Sequence, residues 1–316
     1  MSEVPLTDVH THLIPPLDDA QLALVGMERI GAGVGRRGHA IGPADLYHPQ
    51  RLASWLEQHA VDRAIVSVPP PLYAQGRGPE AAAAWSRALN DALRAAVAPH
   101  ERMLPFGYLP LDEPEAALAE LERLAAEGWR GVTASAGGGS LAFDDARLAP
   151  LWGRLEQLGL PVLLHPGASA DARLEPHYLG NLLGNPQETT LAVGQLVFGR
   201  VLERHPGVRI ALVHGGGFVP AVAGRWQRGI DTSRPGTAEL AGTRVRERLR
   251  RSVWADCIVH DEEALRMSTA FFGAERMLFG SDWPFPMGVS DAAALTTDPV
   301  FTRASAARAA AAFLGE

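Results

Sequence analysis

Eight short apolar runs alternate with alanine-rich stretches of helical periodicity, and this alternation constrains the fold more than any other feature of the chain. The runs fall at 6–12, 63–69 (RAIVSVP), 103–109 (MLPFGYL), 130–135 (RGVTAS), 161–165 (PVLLH), 209–214 (RIALVH), 252–257 (SVWADC) and 276–281 (RMLFGS). Between them lie helical patterns near 49–60, 79–99, 113–127, 147–159, 187–204, 218–230, 261–273 and 302–314. The clearest is 113–127, where Leu118, Leu121 and Leu124 recur at helical spacing with acidic residues between them. Strands separated by helices must pair in parallel through right-handed crossovers. Eight such units in 316 residues predict an α/β chain folded as one (β/α)8 barrel spanning 1–316, with its active site at the C-terminal ends of the strands.

The stretch 13–48 is too long for an ordinary strand-to-helix loop. It holds Pro15, Pro16 and the glycine-rich run GAGVGRRGHAIG, and has no strong periodicity. Loops of that length are usually functional lids or disordered, and its position directly after the first strand favours a lid or small insertion over the site. The segment 231–243 reads as a surface loop.

The candidate ligands all lie at strand ends. Asp8-Val9-His10-Thr11-His12 closes the first strand, and because side chains alternate along a strand, His10 and His12 point the same way. Two imidazoles aimed at one point are how a zinc-type site begins. One such pair is common by chance. Here it is joined by His165 at the end of the fifth strand, His214 at the sixth and Asp282 after the eighth. His59, His100, His177, His205 and His260 have no such pattern. The glycines after His214 (HGGG) lack a phosphate-binding pattern and are expected to let the backbone approach a ligand closely. Cys257, beside Asp256, reads as a core thiol.

Composition narrows the chemistry. All 29 basic residues are arginine. Without lysine there can be no Schiff base and no carbamylated lysine bridging two metals, so a two-metal site of that type is excluded. A net charge of −7 argues against a nucleic-acid partner, and the cluster Arg244, Arg246, Arg248, Arg250 and Arg251 is expected to be a solvated helix face. No apolar run reaches the roughly 18 residues of a membrane span, so no membrane partner is expected. The single cysteine cannot form an intramolecular disulfide and fits a reducing cytoplasm.

The motifs DVHTH, VLLHPG, GNPQETTLA, VHGGGFVPAVAGR and FGSDWPFPMG together resemble the aminocarboxymuconate-semialdehyde decarboxylase-like branch of the amidohydrolase superfamily, over nearly the whole chain. The resemblance implies a distorted (β/α)8 barrel with one divalent metal per chain, zinc by preference with manganese as the alternative. It makes His10, His12, His165 and Asp282 the ligands, with a water completing the shell. Catalysis would fall to His214, as acid/base toward that water, together with Asp282. Arg225 and Trp283 become the expected substrate-binding residues. Arg225 matches an arginine that grips a substrate carboxylate in the adjoining subunit's site, which implies a homodimer or larger homo-oligomer.

A metal with an open coordination position lowers the pKa of bound water to about 7, where an imidazole can exchange its proton. In a decarboxylase, protonating the substrate carbon lets carbon dioxide leave. In a hydrolase, hydroxide attacks an amide or lactone carbonyl. The resemblance favours a decarboxylase of a small aromatic or muconate-type carboxylic acid, with the hydrolase as the alternative and a non-catalytic binding relative third. Two departures bear on substrate. A second carboxylate-binding arginine of the decarboxylase falls near His39, with Arg36 and Arg37 beside it, and HPG replaces HPW, so that Gly167 removes an aromatic wall.

Overall fold

A computed structural model describes residues 4–139, 141–292 and 297–316. All eight predicted strands form, as parallel strands in chain order. Thr7–His12 pairs with Arg63–Ser67, which pairs with Met103–Pro105. Gly107–Leu109 then leads through Val132–Ala136, Val162–Pro166, Ile210–Leu212 and Val253–Asp256 to Met277–Leu278. Main-chain bonds from Val9 N–H to Phe279 O (2.9 Å) and from His12 N–H to Trp283 O (2.9 Å) tie the first strand to the last. The ring is a (β/α)8 barrel.

The third strand is where the barrel is distorted. Its first half bonds the second strand, its second half bonds the fourth, and the changeover falls at Phe106. That leaves Tyr108 without a strand partner on one side. Asn90, from helix Pro79–Val97, fills the gap by accepting from Tyr108 N–H (2.7 Å) and donating to Tyr108 O (3.1 Å). Its amide also donates to Glu120 Oε1 (2.7 Å), itself paired with Arg123. Glu120 is therefore the buried acid on the helix Pro114–Ala126, beside Leu121 and Leu124, where the leucine periodicity gave no sign of one.

Two apolar clusters result. Val66, Leu164 and Leu212 belong to the outer one, between strands and helices. Val9, Ile65, Phe106, Leu163, Val213, Trp254 and Leu278 belong to the inner one, joined by Phe313 and Leu314 of the C-terminal helix Arg303–Leu314. Thr302 and Ser305 cap that helix reciprocally, fixing where it starts. Glu316, just beyond the helix, pairs with Arg63 and Arg130 at the N-terminal ends of the second and fourth strands. These side chains plug that end of the barrel.

The 13–48 stretch is more ordered than its weak periodicity suggests. It forms a short helix, Asp19–Ala23, and a three-stranded antiparallel meander of Glu28–Ile30, Gly33–Arg36 and His39–Ala40. Helix Val245–Ser252 carries most of the arginine cluster while burying Val245 and Leu249, as a solvated face requires. Among the described residues no helix is long and apolar enough to cross a membrane.

Replacing Asn90 with alanine would strand the N–H and C=O of Tyr108 inside the core, while Glu120 keeps its bonds to Arg123. At about 1–3 kcal/mol for each unsatisfied buried group, the expected loss is about 2 kcal/mol or more, read from the urea unfolding midpoint. An unchanged midpoint would show that the gap needs no plug.

Candidate metal centre

Four side chains from the open end of the barrel converge. His10 and His12 end the first strand, His165 lies in the fifth, and Asp282 follows the eighth. All four are buried, and their ligating atoms lie within 4.8 Å of one another. The first strand achieves this with a bulge, its register slipping against the second strand between Asp8 and Thr11. Val9 thus joins the inner core while His10 and His12 both face the mouth.

The hydrogen bonds of these rings show what they can hold. His10 Nδ1 lies 2.9 Å from Asp256 Oδ2, and His165 Nδ1 lies 2.9 Å from the carbonyl of Pro166. Carboxylate and carbonyl can only accept, so the ring proton sits on Nδ1 in both. His12 Nδ1 is 3.3 Å from Ser67 Oγ, a hydroxyl that can accept the ring proton while donating its own to Thr11 O at 3.4 Å. Every ring is left with an Nε2 lone pair facing inward. The Nε2 atoms of His10 and His12 are 3.1 Å apart, and Asp282 Oδ1 lies 3.3 Å from each while making no hydrogen bond of its own. Lone pairs forced together in a buried space repel unless a cation sits among them. The donor set, three imidazoles and one carboxylate, fits one divalent metal.

Electrostatics agree. Burial pushes His165 far below the usual histidine range, and the neighbouring imidazoles push it further, so it stays neutral and able to ligate. Burial would raise the Asp282 carboxyl, but the imidazoles of His10, His12 and His214 outweigh it and hold the group well below the carboxylate range. Asp8, beneath the site, accepts from the N–H groups of His10 (3.1 Å) and Ser281 (3.0 Å), and burial lifts its pKa to about 7.

His214 stands apart from the ligands. Its Nε2 is 3.9 Å from Asp282 Oδ2, and its side chain is partly exposed where the ligands are closed. Both His214 and Asp282 have φ near +55° (54° and 57°), in a region that residues with side chains seldom occupy. The glycines after His214 do approach closely, but to the protein itself and not to a ligand. A Cβ on Gly215 would lie 2.1 Å from Val259 Cγ1, and one on Gly217 would lie 2.5 Å from Pro186 O.

A cavity of about 800 Å³ opens over His165, His214 and Asp282. Its apolar walls include Pro70, Pro71, Leu174, Phe285 and Met287; Ser169, Asn181 and Asn185 are polar. The space that a side chain at Gly167 would enter is taken by Ser135 Oγ, 2.5 Å from such a Cβ, and by Gln75. Trp283, an expected substrate contact, is instead packed in the outer core and does not line the cavity. The aromatic at the metal centre is Phe285, 5.5 Å from the His12 ring. The 13–48 insertion contributes no lining residue; it touches the rim where Gly42 meets Phe285. Arg36 donates to Val25 O within the insertion, and His39 is exposed. Arg225 is exposed on helix Val219–Asp231, away from the cavity. Asp256 and Ser67 were not singled out from the sequence. Their position at the C-terminal ends of barrel strands was the available signal.

One divalent metal per chain is the expected elemental analysis of the purified protein. Asp282→Ala should lose most of it, since a charged ligand is removed. Two strongly bound metals, or undiminished metal in the variant, would contradict the assignment.

Comparison with known proteins agrees with this geometry. The amidohydrolase family model matches residues 7–314. The chain is 31% identical to 2-amino-3-carboxymuconate-6-semialdehyde decarboxylase of Dictyostelium discoideum, over 78% of this chain and 69% of that one. It is 30% identical to gamma-resorcylate decarboxylase of Rhodococcus jostii, over 73% and 75% of the two chains. The crystal structure of 5-carboxyvanillate decarboxylase from Sphingomonas paucimobilis superposes with a TM-score of 0.82 at 22% identity, covering 99% of both. The barrel, the ligand set and the family match lead to one conclusion: the chain belongs to the amidohydrolase family.

Proposed function

We propose that this protein is a metal-dependent decarboxylase of a small aromatic or muconate-type carboxylic acid, with zinc as its metal and manganese the alternative. The observation that carries the reading is His214, an imidazole outside the ligand set that lines a largely apolar cavity. The curated relatives with which the chain shares about 30% identity are named as decarboxylases of such acids.

His10, His12, His165 and Asp282 would hold a divalent metal, which would supply Lewis-acid chemistry at the cavity floor. The residues do the rest. Phe285 and the prolines Pro70 and Pro71 offer faces for a planar substrate and exclude water from it. His214 delivers its proton to the carbon that bears the carboxylate. The bond between that carbon and the carboxylate then breaks, its electron pair returns to the conjugated system, and carbon dioxide leaves. His214 recovers a proton from solvent.

No basic side chain other than the histidines lines the cavity among the described residues. We propose that Arg225 reaches the neighbouring subunit's site in a homodimer. Its exposure supports this, as does the apolar groove beside it, where Leu191, Phe198, Phe218 and Trp226 meet. A cytoplasmic location, where the buried Cys257 stays reduced, completes the proposal.

With a panel of hydroxybenzoates in heavy water, turnover should release carbon dioxide and leave one deuterium at the carbon that lost it. Hydrolysis of an amide or lactone without carbon dioxide release would establish the alternative. His214→Ala should keep its metal and lose turnover by about 10²–10⁴-fold; loss of the metal would make His214 a ligand.

Subunit exchange tests the dimer. Mixing the inactive variants Arg225→Ala and His214→Ala should restore roughly a quarter of wild-type activity, because about half the dimers are mixed and each has one intact site of two. No recovery despite proven exchange would place Arg225 outside the neighbour's chemistry.

A further inference from the structure

We infer that Asp256 is a positioning residue for both halves of the centre: it fixes the tautomer in which His10 can ligate and anchors the turn that carries His214. The inference rests on the metal reading of the site but not on the decarboxylase reading.

Asp256 ends the seventh strand and is fully buried. Its two oxygens divide the work. Oδ2 takes the Nδ1 proton of His10 at 2.9 Å. Oδ1 takes the N–H of Gly215 at 2.8 Å and that of Ile258 at 3.1 Å. The first bond leaves His10 Nε2 as a lone pair aimed at Asp282 and His12. The second holds the peptide immediately after His214.

His214 needs that hold. Its backbone lies in the left-handed region, its Nδ1 is buried without a hydrogen-bond partner, and its Nε2 meets Asp282 only at 3.9 Å. The ring packs against those of His10 and His165 but has no hydrogen bond of its own, so the backbone must set its place. Gly280 lets the eighth strand close against the pair, since a Cβ there would lie 3.0 Å from the Cβ atoms of both His10 and Asp256. One carboxylate therefore ties a ligand from the first strand to an acid/base group after the sixth.

The substitution Asp256→Asn separates this role from mere packing. Two backbone donors face the Oδ1 position, so the amide oxygen must stay there and its NH2 must face His10 Nδ1. That nitrogen must then accept, and the His10 proton moves to Nε2, where it blocks the metal. The same tautomer inversion is known to disable a histidine paired with aspartate in serine proteases. Every hydrogen bond survives with its polarity reversed at one point, so the metal-free chain should unfold near the wild-type temperature. Metal affinity, measured by competition with a chelator, should fall about 10–100-fold. In a His10→Ala background, Asp256→Asn should lower metal affinity no further.

The wild type supplies a test that does not depend on how the variant folds. In the metal-free chain, at a pH where the imidazoles are neutral, ¹⁵N chemical shifts should show His10 protonated at Nδ1. A proton at Nε2 would overturn the inference. So would wild-type metal affinity in Asp256→Asn, or a further loss in the His10→Ala background. Absence of carbon dioxide release by the wild type would remove the decarboxylase reading and leave these measurements untouched.

Discussion

The site depends on the closure of the ring between its first and last strands. His12 N–H reaches Trp283 O, Asp282 N–H reaches His10 O at 2.8 Å, and Ser281 N–H reaches Asp8, 273 positions away in sequence. These bonds place Asp282 beside His10 and His12. Without them, the charged ligand would belong to a loop at the far end of the chain, and two of the histidines would have no anion to share. Closure is also what makes the C-terminal plug necessary. A ring needs its interior filled, and Phe313 packs there against Phe106 and Trp254.

Closure creates an electrostatic problem that the metal would solve. It gathers three buried imidazoles with inward lone pairs around a carboxylate whose Oδ1 makes no hydrogen bond, and Asp8 and Asp256 lie directly behind them. Uncompensated, an arrangement of this kind is costly in a low-dielectric interior. The protein leaves the compensation to a cation but fixes the ring orientations beforehand through Asp256, Ser67 and Pro166. The ligands therefore need little reorganisation when the metal arrives.

The strands, the helices and the four side chains that converge at the barrel mouth were legible in the sequence because each rests on a local regularity: apolar alternation, helical spacing, or position at a strand end. What escaped depends on contacts between distant segments. Trp283 follows Asp282 and looks like a cavity aromatic, yet its main chain bonds to His12 and its ring turns into the core, leaving the cavity to Phe285 and Tyr178. The glycines after His214 suggested room for a ligand, whereas they make room for Val259 and Pro186. Asp256 looked like a neighbour of a core cysteine because its partners lie on the first strand and in the turn after the sixth. The meander in 13–48 was hidden by strands of only two to four residues, too short to show a period.

Charge sets the terms on which an acid enters the cavity. Three neutral imidazoles and one carboxylate around a divalent metal carry a net charge of one, enough to balance a single carboxylate. The acidic groups on the cavity wall, Asp171 and Glu175, add no attraction, and Asp171 is already paired with Arg173. In the proposed reading, a substrate with one acid group is therefore matched by the chain alone. A second acid group would need a cation beyond the metal and a protonated His214, and among the described residues no arginine of this chain lines the cavity. An arginine from a neighbouring subunit would supply it, so assembly would extend the range of acids the site can hold without altering the metal ligands or His214.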